Sequence, residues 1–264
     1  MNRWVLLVVA FIVSTEGFAA PVGNPAAPQL IEQGFFIPSD CGVSVRAGYE
    51  GDFVGDGMME QYYQGQGRVD CYKQEASSGT VTFNILDRID IYSVLGSSRT
   101  SADWRFEDVA GGIHRIELET NFDFLWGAGV RGILFTGNGV CIGLGGRYEA
   151  AHFYPTWATS DGAVQSSDGS TLHWREWQID LDVSYKIDIL IPYLGVKYLN
   201  AQTKIKGFEI PISASGEGND QFKNRVPVGI VIGCSISSSK YFMLNIEGRL
   251  IDEEAVTISG DIRF

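Results

Sequence analysis

The chain has 264 residues, with 32 acidic and 20 basic side chains and a formal net charge of −12, which argues against a nucleic-acid partner. Thirty-two glycines and an aromatic fraction of 12% are high, as a barrel needs where strands bend and where rings meet an interface. A mean hydropathy near zero excludes neither a soluble protein nor a barrel that confines its hydrophobicity to alternate positions.

In chain order, the first element reads as a secretory signal. Asn2 and Arg3 are polar and positive, Trp4 to Val13 is an apolar run too short to span a bilayer, and a small-residue tail follows. Cleavage between Ala19 and Ala20 fits best, because Gly17 and Ala19 then fill the small-residue subsites. Residues 1–19 are therefore set aside, residues 20–40 are expected as a periplasmic segment, and 41–264 as the folded unit. No later stretch resembles a transmembrane helix.

Beyond residue 42 the apolar residues recur with period two. Val43, Val45, Ala47, Tyr49 and Phe53 alternate with Ser44, Arg46, Gly48, Glu50 and Asp52. Similar faces follow through Val140 to Tyr148, Trp177 to Ile187, Val226 to Ile236 and Phe242 to Leu250. Weaker examples lie near 79–86, 89–97, 120–135 and 190–206. The last strand, Ala255 to Phe264, is apolar on one face and ends on an aromatic carboxylate.

Alternation does not say which face is inside; the connections do. Short links at Leu86–Ile89, Thr136–Gly139, Ile187–Ile189 and Ser237–Lys240 alternate with long ones near 55–78, 98–119, 155–170 and 207–222. Short periplasmic turns and long outer loops are the pattern of outer-membrane barrels. The expected fold is all-β: a transmembrane, antiparallel, up-and-down β-barrel of about ten strands, or twelve if His114 to Glu119 adds one.

Several stretches resemble one family. Pro21-Val22-Gly23-Asn24-Pro25-Ala26-Ala27-Pro28 is similar to the mature start of the chlamydial major outer membrane protein, and Ser44 to Val54 resembles its first strand. Leu86 to Tyr92, Glu176-Trp177-Gln178 and Pro192 to Lys197 resemble later turns and strands. The resemblance implies a porin-like barrel in the outer membrane, often oligomeric and cross-linked through cysteines. Two departures stand out: this chain is shorter than the family's typical member, and it has only four cysteines.

The expected lumen face carries Arg46, Glu50, Asp52, Arg131, Arg147, Glu149, Asp180, Asp182, Lys186, Lys197, Glu247, Arg249, Asp261 and Arg263. Eight strands fill their own interior and sixteen leave a channel. A ten-stranded lumen is open to two readings, a narrow wet path for small ions and solutes or a plug of ion pairs. The second would make the chain a closed structural or adhesin-type surface barrel. Cys41, Cys71, Cys141 and Cys234 belong to an exported chain and allow three disulfide connectivities. By resemblance they link subunits or neighbouring envelope proteins; the alternative is inert thiols.

The aromatic girdle is expected from Tyr49, Phe53, Trp126, Tyr148, Phe153, Tyr154, Trp174, Trp177, Tyr193, Tyr198, Tyr241 and Phe242. Catalysis is not expected. His114, His152 and His173 lie near serines and aspartates of the third long loop, but no Gly-x-Ser-x-Gly elbow is present. Two histidines beside a loop do not make a metal site, and no cofactor is expected. The expected partners are outer-membrane lipid, small solutes and further copies of the chain.

Overall fold

The computed structural model describes residues 20–36, 42–62, 68–108, 110–207, 220–238 and 240–264. The expected signal peptide, Cys41 and most of the 207–222 loop lie outside them. The strands are β1 (Val43–Gly57), β2 (Met59–Gln61), β3 (Arg68–Ile85), β4 (Ile89–Glu107), β5 (Ile113–Thr120), β6 (Asp123–Gly137), β7 (Val140–Phe153), β8 (Pro155–Ser160), β9 (Ala163–Val164), β10 (Thr171–Tyr185), β11 (Leu190–Lys206), β12 (Gln221–Asn224), β13 (Val228–Ser237), β14 (Phe242–Leu250) and β15 (Glu253–Arg263). A single helical turn, α1 (Ala27–Leu30), precedes them.

Ten of these close a barrel in the order β1-β3-β4-β6-β7-β10-β11-β13-β14-β15, and β15 returns to β1. All its pairings are antiparallel, and the Phe264 amide donates to the Val45 carbonyl at 2.9 Å to finish the seam. The wall therefore has no free edge, as a bilayer requires. The short turns follow local chemistry. Asn138-Gly139 (φ 52° and 81°) joins β6 to β7 with the positive φ pair that two-residue hairpins demand.

From Trp177 to Tyr185 on β10, Ile179, Leu181 and Val183 face outward and exposed, while Gln178, Asp180, Asp182 and Ser184 are buried inside. That nine-residue stretch matches the roughly 9–11 residues a tilted strand needs to cross a bilayer. Tyr49, Trp126, Tyr148, Trp177 and Tyr198 ring the outer edge of the apolar band. Phe153, Trp174 and Tyr193, expected in this girdle, are instead buried inside, because each sits on the inward parity of its strand.

The long links are not simple loops. β1, β3, β4, β10 and β11 run well past the belt, and β5, β8 and β9 extend the wall beside β4. The His114–Glu119 segment is indeed a strand, but it pairs with β4 and β8 outside the ten-stave closure. Across the mouth, β2 pairs with β12. This outer section has an apolar interior that includes Trp104, Phe106, Ile116, Leu118, Phe153, Leu172 and Trp174.

Candidate functional site

The membrane-level interior is filled from within by the chain's own beginning. Residues 20–31, expected in the periplasm, run up through the barrel, and Ala20, Val22, Asn24, Ala26, Ala27, Leu30 and Ile31 are each buried. The segment has no regular ladder for its peptide groups, so wall side chains supply the partners that burial demands. The Ala20 amide donates to Glu176 (3.0 Å), and the Val22 and Gly23 amides to the two oxygens of Glu247 (2.9 and 2.6 Å). Arg131 donates to the Val22 carbonyl, Arg46 to Ala27 (2.6 Å), Asn84 to Pro28 (3.0 Å), Ser237 to Leu30 (2.9 Å) and Arg263 to Ile31. Asn24 reaches the Ile191 carbonyl and the Ser235 hydroxyl, both at 3.0 Å. Apolar contact completes the seat: Val22 packs on Tyr193 and Val231, and Ala26, Ala27, Leu30 and Ile31 pack on Ile133, Cys141, Ile191 and Met243.

Ion pairs fill the remaining interior. Arg147 bridges Glu50 (2.6 Å) and Glu149, and Arg46 pairs with Asp90. Arg249 joins Asp52 (2.7 Å), Glu253 (3.0 Å) and the Thr257 hydroxyl (2.6 Å). Lys197 lies between Asp252 (3.0 Å) and Glu253. The Tyr193 hydroxyl donates to Glu247 at 2.7 Å. Such a network satisfies buried charge only because each group has a partner.

Inward glycines make the room. Gly145 lies opposite Asp180 and Gly195 opposite Asp182, and a Cβ on either would fall 2.2 and 1.4 Å from the facing carboxylate. The glycine count thus serves close packing inside the lumen as well as bending. What space remains is small. A cavity of about 50 Å³ lies among Pro21, Asn24, Arg46, Tyr92, Arg131 and Asp261, and one of about 10 Å³ beside Ala20. A water needs on the order of 10–15 Å³ of such space, so a few waters fit in these two cavities among the described residues.

Of the fourteen residues expected in the lumen, all but one face it. Lys186 does not: β10 ends at Tyr185, its alternation ends there too, and Lys186 is exposed at the periplasmic turn, its amide bonded to the Gly139 carbonyl (2.9 Å). Asp261 and Arg263 look into the plug rather than into a channel. Sequence reasoning missed Asn24, Asn84, Asp90, Tyr92, Glu176 and Tyr193. Parity alone places Glu176 on the inward face with Gln178, whereas no periodic signal marks Asn24.

Among the described cysteines, Cys141 is a free thiol buried against α1, and Cys234 is a free thiol on the lipid side of β13. They face opposite sides of the wall and do not pair with each other. Cys71 lies on the outer extension of β3.

A closed, even-stranded, antiparallel barrel with an apolar belt and a charged interior defines an outer-membrane β-barrel protein. Residues 146–217 match the family model described as Chlamydia major outer membrane protein. The chain is similar to a major outer membrane porin of Chlamydia pneumoniae, 24% identical over 385 aligned positions covering 98% of each. It is likewise similar to the major outer membrane porin, serovar F, of Chlamydia trachomatis, at 23% and 98% of each. Among solved structures it is similar to the translocator domain of the autotransporter NalP from Neisseria meningitidis, with a TM-score of 0.44, 12% identity, and 90% and 92% of the two chains covered. The chain is located in the outer membrane, and over residues 146–217 it is similar to the chlamydial major outer membrane protein family.

Proposed function

We propose that the protein is a porin-type barrel shut at rest by residues 20–31, passing small ions and solutes when that segment leaves the lumen. The observation that carries the reading is the seat itself. The plug is held by hydrogen bonds to a charged wall, and removing it exposes a polar bore rather than an apolar one. Polar-lined bores conduct by field and size. The relatives named as porins add support.

Planar-bilayer recording of the chain from Ala20 against a truncation starting at residue 33 tests this. The truncated barrel is expected to show frequent stepwise conductance and the full mature chain rare openings. If the truncated barrel folds and stays silent, the protein is a closed structural barrel, the reading that the density of buried ion pairs favours.

Cross-linking falls to cysteines other than Cys141, which the plug covers. Cys234, on the lipid side, is placed to meet a neighbouring copy, and a dimer that disappears with reductant and with Cys234→Ser would show it. The reading includes no catalysis. His114 is held between Asp161 (2.6 Å) and Asp108 (3.0 Å) on the outer wall, and the His152 and His173 rings lie against each other at 4.3 Å.

A further inference from the structure

We propose that the outward wall of β7, β10 and β11, just beyond the aromatic belt, binds the phosphorylated headgroup of an outer-leaflet lipid. Tyr148, Trp177 and Tyr198 mark the belt on these strands; beyond it the outward parity carries His152 after Ala150 on β7, Arg175 and His173 on β10, and Lys204 and Lys206 after Asn200 and Gln202 on β11. Strand register gathers them: His173 stands opposite His152 on one side and Lys204 on the other, and Lys206 opposite Thr171. A cavity of about 470 Å³ opens among them, with the Trp126 and Tyr148 rings at its membrane edge.

The charge is unusual for this molecule. Overall the chain is at −12, and elsewhere on the outer wall several basic groups already hold carboxylates. Arg99 pairs with Glu75 (2.9 Å), Arg105 with Asp70 (2.5 Å) and Arg115 with Asp103 and Glu117. Here Arg175 donates to the neutral Gln202 carboxamide (2.5 and 3.2 Å), and Lys204 approaches Asp220 only to 3.7 Å. Among the described residues no acidic side chain pairs with Lys206. Burial, then the charges of His152 and Lys206, hold the His173 imidazole below its ordinary value, as same-sign crowding does.

A phosphate monoester carries about −1.5 to −2 charges and several acceptor oxygens. It matches a guanidinium fork flanked by ammonium groups. The height is right for a headgroup, since acyl chains beneath it would lie along Trp126, Tyr148 and the apolar band. A free phosphate shares the head chemistry but gains nothing from that band.

Native mass spectrometry of the detergent-solubilised mature barrel tests this independently of the plug. The probes are a bisphosphorylated glucosamine lipid, its phosphate-free counterpart and inorganic phosphate. The phosphorylated lipid is expected to bind about tenfold or more tighter than the phosphate-free one, as charge-assisted contacts of this kind allow. The triple variant Arg175→Gln/Lys204→Gln/Lys206→Gln should lose that preference, and the equally discharged Arg99→Gln/Arg105→Gln/Arg115→Gln should keep it. Equal binding of the two lipids, or an unchanged triple variant, overturns the site. Inorganic phosphate bound as tightly as the lipid would make it a free-anion site and overturn the lipid reading.

Discussion

The two halves of the wall are built on the same strands and the same parity, yet they are inverted. On β4, Asp90 faces the interior and Ile89, Ile91 and Leu95 face lipid. Fourteen residues on, Trp104 faces the interior and Arg105 faces water, paired to Asp70 at 2.5 Å. The alternation is unbroken between them, though the neighbour of β4 passes from β6 to β5; what changes is the solvent. Within the membrane, lipid takes the apolar face and the polar face must be satisfied inside, by ion pairs and by the plug. Above it, water takes the polar face and the hydrophobic effect collapses the interior. One barrel therefore has two cores of opposite chemistry, meeting near Glu176 and Trp174.

Discharging the polar core should cost most. Arg249→Met strands Asp52, Glu247 and Glu253 without their shared cation, and removal of one partner from a buried pair costs about 3–5 kcal/mol. Urea unfolding in micelles should show it for the whole barrel; a change under 1 kcal/mol would mean the network is already partly neutral.

In the apolar core, Trp104→Ala carries a similar nominal cost, about 3–5 kcal/mol, but it should stay local. Outer strands are expected to become protease-sensitive while the membrane section keeps its folded migration on unheated gels. Collapse of both together would show the two cores to be one cooperative unit, and would break the comparison.

Leu181→Arg, at the middle of the belt, should cost about 2–4 kcal/mol because lipid replaces water around the charge. The insertion yield into vesicles reads this, and an unimpaired yield would put Leu181 outside the bilayer.

The smallest effect belongs to His114 on the outer wall. Hydrogen bonds that its ring donates to Asp161 and then to Asp108 raise its pKa. Asp108 is held down first by His114, and Asp161 first by the Arg115 amide and then by His114. The imidazolium's share of stability is complete below its unfolded value near 6.5 and is lost as pH rises through the raised folded value. The carboxylates' share is present above their unfolded values and is lost as pH falls. NMR titration of the His114 ring should therefore give a midpoint above the ordinary one, and a midpoint at or below it would show that the two carboxylates do not hold the ring in solution.

The barrel was largely legible because period two assigns faces residue by residue: Trp177 against Gln178, Ile262 against Arg263. What parity left open was where the lipid ends. Polar residues such as Arg99, Asp103 and Arg105 read as loop when water-facing strand and loop look alike, so β4 was expected to stop near residue 97. The plug was illegible for a different reason. Pro21 to Ile31 has no period, and most of its contacts use peptide groups that every residue possesses. Only the three-dimensional return of Glu176, Glu247 and Arg263 to one place reveals it.

Residues 20–31 precede every wall strand, and the strand that seals the wall, β15, also grips them, through Arg263 on the Ile31 carbonyl. One side chain of the closing strand thus does two jobs, lying in the seam and holding the segment inside it, so sealing of the wall and seating of the plug are coupled through Arg263.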